Sequence, residues 1–200
     1  DQGVALGGYG LTTMIHEIGH SLGLNHPGNY NATDDGPQPN YDANAVFAQD
    51  AVKYTVMSYF WGYNPVKGWV VDGVNTDLYP QTPMLYDIAT IQAKYGANFA
   101  TRSGDTVYGF NCNLASIDPE KAIYDFSQNK NPIFTIWDGG GNNTLDGSGF
   151  SGVQTIKLNP GEYSSVNGLT ENVAIAFGAK IQNAIGGSGN DILIGENVTA

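Results

Sequence analysis

The 200-residue sequence contains few of the residues that build disulfides and basic surfaces. Cys112 is its only cysteine, so no disulfide can form within the chain, and we expect this residue to be a small buried hydrophobic side chain. Eight lysines and arginines stand against 19 aspartates and glutamates, which gives a formal net charge of −11. Such a chain offers no basic surface for a polyphosphate, so we expect no nucleic acid partner.

Long apolar runs are also missing. No stretch approaches the roughly 18 apolar residues of a membrane-spanning helix, so we expect no membrane partner. The first residues, DQGVALGGYG, resemble neither a signal peptide nor a methionine start. We therefore interpret the chain as part of a longer protein, with enough hydrophobic residues, 41%, for a folded core.

The composition changes near the middle of the chain and predicts an α+β protein with two domains. Residues 1–99 contain every histidine and methionine, whereas residues 100–200 are rich in glycine, asparagine, aspartate and serine. The second part also contains four short β-prone runs, PIFTIW, VQTIKL, NVAIAF and DILI, and is predicted to be all-β. The first part is predicted to end with a helix from Thr82, its N-cap, to Gly96. That helix has an apolar stripe of Met84, Ile88, Ile91 and Tyr95.

All three histidines lie in one stretch, IHEIGHSLGLNHPG, at residues 15–28. Apolar spacing predicts a helix there whose core-facing stripe consists of Leu11, Ile15, Ile18 and Leu22. His16 and His20 are one helical turn apart on the other side, so their rings are neighbours. Six more helical residues would carry His26 away from that face, so we predict that Gly23 ends the helix with a positive φ and lets His26 return.

Three neutral imidazoles favour zinc, copper or nickel over calcium or magnesium, and a catalytic zinc usually has three protein ligands. We therefore predict a zinc site at His16, His20 and His26. Glu17 follows the first of these at an angle unsuited to the metal, which leaves it free to bind a water as general base. The five-residue pattern alone also occurs on ordinary helix surfaces, and the offsets of Gly23 and His26 favour the metal site. The chain has no Gly-x-Ser-x-Gly, and GSGND from Gly187 lacks the third glycine of a dinucleotide loop.

Several segments together resemble one known family. Residues 16–26, HEIGHSLGLNH, resemble the metzincin zinc signature, and residues 54–60, YTVMSYF, resemble its Met-turn. GGSGNDILI at 186–194 resembles the calcium-binding RTX nonapeptide, and RSGDTVYGFN and WDGGGNNTLDGSGF extend the similarity. On these segments the chain is identified as a member of the serralysins, secreted bacterial zinc proteases. The expected fold is thus part of a metzincin catalytic domain over 1–99, followed by the start of an RTX β-roll over 100–200.

The resemblance assigns further roles near the zinc. Tyr59 would be an additional zinc ligand that swings away to hydrogen-bond the oxyanion, and Met57 would form the hydrophobic floor under the metal. Glu17 would take a proton from the attacking water and pass it to the leaving amine. The segment between Tyr59 and Pro83 is expected to form the wall beside the substrate residue that follows the cleaved bond.

The resemblance also implies structural calcium sites. The first would use the backbone oxygens of Arg102, Gly104, Thr106 and Gly140 with the side chains of Asp138 and Asn143, and the second would use Gly141, Asn143, Lys180 and Gln182. A third, lacking its closing turn, would use Gly187, Gly189 and Asp191. Asn143 and Gln182 replace an Asp and a Glu of the family, and calcium affinity depends on ligand charge. We therefore predict that the first site is occupied most readily and that the second is weak or empty.

As partners, the resemblance implies protein and peptide substrates and a proteinaceous protease inhibitor, for a monomeric protein. It also implies extracellular localisation by type I secretion, with the secretion signal, the substrate-pairing strand and further β-roll turns outside this chain. Three hypotheses remain: a secreted zinc endopeptidase, a calcium-binding β-roll module with an inactive catalytic remnant, and a zinc hydrolase acting on substrates other than peptides.

Overall fold

Four helices and ten short strands form the part of the chain that the structure, a computed structural model, describes: residues 3–32, 36–60, 69–71, 74–76 and 78–195. The helices are α1 (Tyr9–Ser21), α2 (Tyr41–Asn44), α3 (Leu85–Tyr95) and α4 (Lys121–Tyr124). The strands are β1 (Trp69–Val71), β2 (Val74–Thr76), β3 (Val107–Gly109), β4 (Phe134–Ile136), β5 (Thr144–Asp146), β6 (Thr155–Lys157), β7 (Tyr163–Ser164), β8 (Val173–Ile175), β9 (Asn183–Ile185) and β10 (Ile192–Ile194).

Parallel pairing dominates the second half of the chain. Strands β3, β5 and β9 form one parallel sheet, with Val107 opposite Thr144 and Thr144 opposite Asn183. Strands β6 and β10 form a second parallel pair, and β4 and β8 a third, to which β7 adds antiparallel. In the first half, β1 and β2 form an antiparallel hairpin. Between two parallel partners the chain must therefore run from the end of one strand back to the level at which that strand began. Successive turns of the chain are thus stacked beside one another.

The four β-prone runs each contain a strand, β4, β6, β8 and β10, so this prediction is confirmed. The expectation that residues 100–200 are entirely β is wrong by one helical turn, α4. The mixed architecture of helices and strands agrees with the predicted α+β class.

Helix α1 is present as predicted, but its buried line differs from the predicted stripe. Ile18 is 53% exposed and Leu22 is 43% exposed, so neither faces the core. The buried positions are instead Thr12 and Gly19. Gly19 allows a close contact with Met57, because a Cβ at this position would lie only 2.6 Å from the Met57 sulfur. Ile15 of the predicted stripe does pack against the core, so apolar contact and the close approach of the Met57 side chain together orient the helix.

Helix α3 begins later than predicted, and Met84 rather than Thr82 is its N-cap. The Thr82 hydroxyl accepts a hydrogen bond from the backbone N–H of Thr135 at 3.0 Å, which ties this segment to β4. Asp87, in the first turn of the helix, caps its start by accepting a hydrogen bond from the N–H of Met84 at 2.8 Å. Gly96 follows the last helical residue with φ +86, as predicted.

Two hydrophobic clusters hold the described residues together. The larger lies within the β half, where Cys112 packs half-buried against it, and includes Tyr108, Phe126, Phe134, Ile136, Leu145, Ile156 and Ile175. The smaller joins residues from both halves of the chain and includes Leu24, Val56, Met57, Met84, Leu85, Ile133 and Tyr163. Apolar burial therefore couples the segment around Met57 to the β strands. None of the helices in the described ranges has the length and apolar character needed to cross a membrane.

Candidate metal centre

Helix α1 and the turn after it bring the three histidines together. His16 and His20 lie one turn apart on the helix, and their ring centroids are 4.7 Å apart. Gly23 has φ +80, a left-handed conformation that favours glycine, and the N–H of Leu24 donates back to Gly19 O at 3.0 Å. The chain reverses at this point, so the ring of His26 lies 4.8 Å from that of His20 and 5.2 Å from that of His16.

Each histidine is held by the nitrogen that faces away from its partners. The Nδ1 of His16 lies 2.7 Å from Val56 O, that of His20 2.9 Å from Leu24 O, and that of His26 2.7 Å from Tyr30 O. A carbonyl oxygen only accepts, so in each case Nδ1 carries the proton and donates. In a neutral ring, this selects the tautomer in which the lone pair is on Nε2.

The three Nε2 atoms converge on one point. His26 Nε2 lies 3.2 Å from that of His20 and 3.3 Å from that of His16, and all three ligand atoms are within 4.8 Å of one another. With the protons on Nδ1, these contacts bring lone pairs together rather than forming hydrogen bonds, which favours a cation between them. Nitrogens bound to a tetrahedral zinc lie about 3.3 Å apart. The donor set and its spacing therefore fit zinc.

Electrostatics also favour the uncharged form of His26. Burial lowers the pKa of His26 below the ordinary histidine value, and the neighbouring His16 and His20 lower it further, while the hydrogen bond to Tyr30 opposes both effects. Metal ligation requires the deprotonated Nε2. The ring is therefore in the form that binds a metal near neutral pH.

Met57 and Tyr59 lie close to the cluster. Met57 is 2% exposed and packs beneath α1 at Gly19, between the turns that carry His16 and His20. The ring of Tyr59 is half-buried and lies 4.5 Å from that of His26 and 5.9 Å, stacked, from that of His16. The structure thus places both residues beside the candidate metal position.

Glu17 opens onto a cleft beside the cluster. The cleft has a volume of about 330 Å³, and the described residues that line it include His16, Glu17, Tyr59, Tyr9 and Tyr79. Glu17 is exposed, one residue along α1 from His16. The cleft therefore has room for water and a small ligand beside both residues. Residues 61–68, 72, 73 and 77 of the predicted substrate wall lie outside the described residues.

The sequence analysis did not identify a buried carboxylate, Asp87, that supports the segment around Met57. Asp87, on α3, is 2% exposed and accepts hydrogen bonds from the Thr55 hydroxyl at 2.5 Å and the Val56 N–H at 2.8 Å. Val56 O in turn accepts from His16, so the backbone of one residue, Val56, connects the carboxylate to a candidate ligand. Burial raises the pKa of Asp87, and its hydrogen-bond donors oppose the rise. An acidic residue in the first turn of a helix was the available signal, and the misplaced N-cap hid it.

The candidate second calcium site is closed by amide hydrogen bonds. Asn143 is 1% exposed; its Oδ1 accepts from Thr106 N at 2.9 Å, which directs its NH₂ group to Gly140 O at 2.9 Å and Lys180 O at 3.0 Å. Donors therefore face one carbonyl of the second candidate site, Lys180 O, and one of the first, Gly140 O. Gln182 accepts from Asn143 N at 2.7 Å, and its NH₂ donates to Gly141 O at 3.0 Å. These residues do not fit a calcium ion in this arrangement.

The other candidate calcium residues are brought together only in part. Asp138 accepts hydrogen bonds from the Tyr108 hydroxyl at 2.6 Å and from Gly140 N at 2.9 Å, and Thr106 O accepts from Thr144 N. Gly104 lies in the neighbouring turn, where its carbonyl oxygen accepts from the Thr106 hydroxyl. The Arg102 side chain pairs with Glu120 and donates to Trp137 O.

At the third candidate site, Asp191 accepts from Gly187 N at 2.6 Å and from Gln154 N at 2.8 Å. Gly189 lies beside it, against Gly152 O. Among the described residues, the histidines form the only group of three or more potential metal-binding side chains. Occupation of the first and third calcium sites stays a prediction.

Comparison with known proteins identifies the family. Residues 97–199 match the model of the C-terminal region of serralysins, peptidase family M10. The chain is 48% identical over 190 residues to Metalloprotease AprA of Pseudomonas entomophila, covering 94% of this chain and 37% of that protein. It is 47% identical over 195 residues to Serralysin of Photorhabdus luminescens, covering 97% and 38%. It is 49% identical over 191 residues to Serralysin C of Dickeya chrysanthemi, covering 93% and 36%. The chain therefore belongs to the serralysin family of metalloproteases, and it spans less than two fifths of the length of these relatives.

Proposed function

We propose that this chain is the part of a secreted zinc endopeptidase that contains its active-site residues and the start of its β-roll. Residues 1–99 would belong to a metzincin catalytic domain, and residues 100–200 would begin a calcium-binding RTX β-roll. The convergence of the Nε2 atoms of His16, His20 and His26 supports the zinc site most directly. The stacked parallel pairings, including β10 at the end of the GGSGNDILI segment, support the β-roll.

The proposed reaction is hydrolysis of a peptide bond in the cleft beside α1. A zinc ion held by the three histidines would supply a Lewis acid and lower the pKa of a bound water. Glu17 accepts the proton of the attacking water and returns it to the leaving amine, a role that its position in the same cleft as His16 allows. Tyr59 donates a hydrogen bond to the oxyanion, as the family resemblance implies.

The proposed setting follows from the family as well. The protein is secreted and extracellular, acts as a monomer on protein and peptide substrates, and has a proteinaceous inhibitor as a further partner. Calcium is its structural cofactor at the sites that retain carboxylates, Asp138 and Asp191.

Hydrolysis of casein by the 200-residue chain, with and without a zinc chelator, tests this function. Chelator-sensitive cleavage is expected for an endopeptidase. A chain that binds zinc and is inactive, while the longer protein cleaves casein, would favour the calcium-binding module with an inactive catalytic remnant. Zinc-dependent hydrolysis of esters without any cleavage of casein would favour the third hypothesis.

Tyr59→Phe should keep zinc bound and lower kcat more than it raises KM. The three imidazoles remain in this variant, so the metal is retained, and only an interaction made mainly in the transition state is lost. Steady-state kinetics of the full-length protein and its zinc content measure the two effects. The matched change Tyr41→Phe controls for loss of a hydroxyl, because the Tyr41 hydroxyl donates to Ala48 O rather than to a residue of the candidate site. An unchanged kcat would assign Tyr59 to packing alone.

A further inference from the structure

A second buried carboxylate, besides Asp87, bonds to the segment around Met57. Asp50 is fully buried and precedes the turn that carries Met57. Its Oδ1 accepts two hydrogen bonds, from the Tyr30 hydroxyl at 2.8 Å and from the Ser58 hydroxyl at 2.7 Å. One oxygen atom therefore links the loop after α1 to the segment around Met57.

Each of these two hydroxyls belongs to a residue that touches the candidate site. Tyr30 O accepts the hydrogen bond from His26 Nδ1 at 2.7 Å, and the two rings are parallel within 3° at 5.5 Å. Ser58 lies between Met57 and Tyr59 in the chain, and the Tyr59 ring lies 5.4 Å from that of Tyr30. Fixing the two hydroxyls therefore fixes the backbone that orients His26 and the start of the segment that presents Tyr59.

We propose that Asp50 is a positioning residue of the metal centre, which holds His26 and Tyr59 in register by joining Tyr30 to Ser58 through Oδ1. This inference rests on the proposed zinc function of the three histidines. Tyr30 and Ser58 are 5% and 4% exposed, so water cannot replace the acceptor when Asp50 is removed. Partners that orient a metal-bound histidine through its other nitrogen typically change metal affinity 10- to 100-fold when removed.

The role of Asp50 as a hydrogen-bond acceptor can be tested separately from the role of its negative charge. Among the described residues Oδ2 of Asp50 has no hydrogen-bond partner, so both donors depend on Oδ1 alone. Asparagine keeps an oxygen at that position, whereas alanine removes it. If positioning is the role of Asp50, metal affinity must follow the acceptor oxygen and must tolerate the loss of the charge.

Zinc affinity of the 200-residue chain, measured by competition with a chromophoric chelator, tests this inference without reference to activity. We expect Asp50→Ala to weaken zinc binding about 10- to 100-fold, and Asp50→Asn to restore affinity to within a few fold of the unchanged chain. The absorption bands of bound cobalt(II) should shift in Asp50→Ala and return in Asp50→Asn, because they report the coordination geometry. Tyr30→Phe, which keeps the ring and the carbonyl, should weaken zinc binding in the same direction and serves if Asp50→Ala does not fold.

Asp146→Ala is the matched control, because it removes another buried carboxylate, one that accepts from Asn111 and Ser148 in the β half. This variant should lose stability and keep zinc affinity. Unchanged zinc affinity in both Asp50→Ala and Tyr30→Phe, or an equal loss in Asp146→Ala, would overturn the inference. Absence of zinc binding in the unchanged chain would overturn the proposed function instead, so the two failures are distinct.

Discussion

Replacing Glu17 with glutamine should leave one zinc per chain and lower kcat by about 10²- to 10⁴-fold. Each histidine donates through Nδ1 to a backbone carbonyl and presents Nε2 to its partners, so the proposed ligand set is complete without Glu17. Glutamine has nearly the same size and remains in the cleft, but it cannot accept the proton of the attacking water. Zinc content by elemental analysis and peptide hydrolysis by the full-length protein measure the two quantities.

His26→Ala should have the opposite effect, because it removes an Nε2 that lies 3.2 and 3.3 Å from its two partners. Zinc should then be lost at chelator concentrations that leave it bound in Glu17→Gln. Glu162→Gln, the same chemical change beside β7, should alter neither zinc content nor kcat. If Glu17→Gln also loses zinc, Glu17 is a ligand or a structural group, and the general-base assignment is wrong.

The predictions that succeeded depended on local pattern. The spacing of His16 and His20 on a helix, a glycine able to adopt positive φ, and short runs of β-branched residues are properties of neighbouring residues. The structure has a helix at that spacing, φ +80 at Gly23 and a strand in each β-prone run. Such features follow from propensity and periodicity without knowledge of the tertiary fold.

The predictions that failed depended on which distant segment of the chain packs against a given helix. Apolar periodicity could not show that Met57 would approach α1 at Gly19 and leave Ile18 exposed. The choice of Thr82 as N-cap failed because its hydroxyl accepts from the distant Thr135. Asp50 follows no local motif, and only the fold brings it to Tyr30.

The double change Asn143→Asp with Gln182→Glu should create a tight calcium site where the chain has an amide network. In this chain the NH₂ of Asn143 donates to Gly140 O and Lys180 O, and the NH₂ of Gln182 donates to Gly141 O. The orientation of Asn143 is fixed, because only its oxygen can accept from Thr106 N. These amide hydrogen bonds join three segments of the chain, around residues 106, 140–143 and 180–182.

Carboxylates at the same two positions would turn each donor into an anionic oxygen that faces a carbonyl oxygen. Without calcium this arrangement is repulsive, so the double variant should melt below the unchanged chain in the presence of a calcium chelator. With calcium the same oxygens become ligands of the charged type that raises affinity. At a calcium concentration about 100 times Kd, binding adds about 2.7 kcal/mol to the free energy of unfolding. For a chain of this size, that raises Tm by about 5 to 10 °C.

Calorimetric titration with calcium and melting curves in calcium and in chelator measure these effects on the 200-residue chain. The control variant Asn40→Asp with Gln49→Glu adds the same charge at exposed positions in the first half of the chain, outside the amide network, and it should gain no calcium site. Stabilisation by calcium at the third site is common to all three proteins. Asn143 contributes to both the first and the second candidate sites, so the difference between the proteins reports these two sites together. If the unchanged chain already binds calcium there as tightly as the double variant does, the amides coordinate the ion. The argument from lost carboxylates would then be wrong.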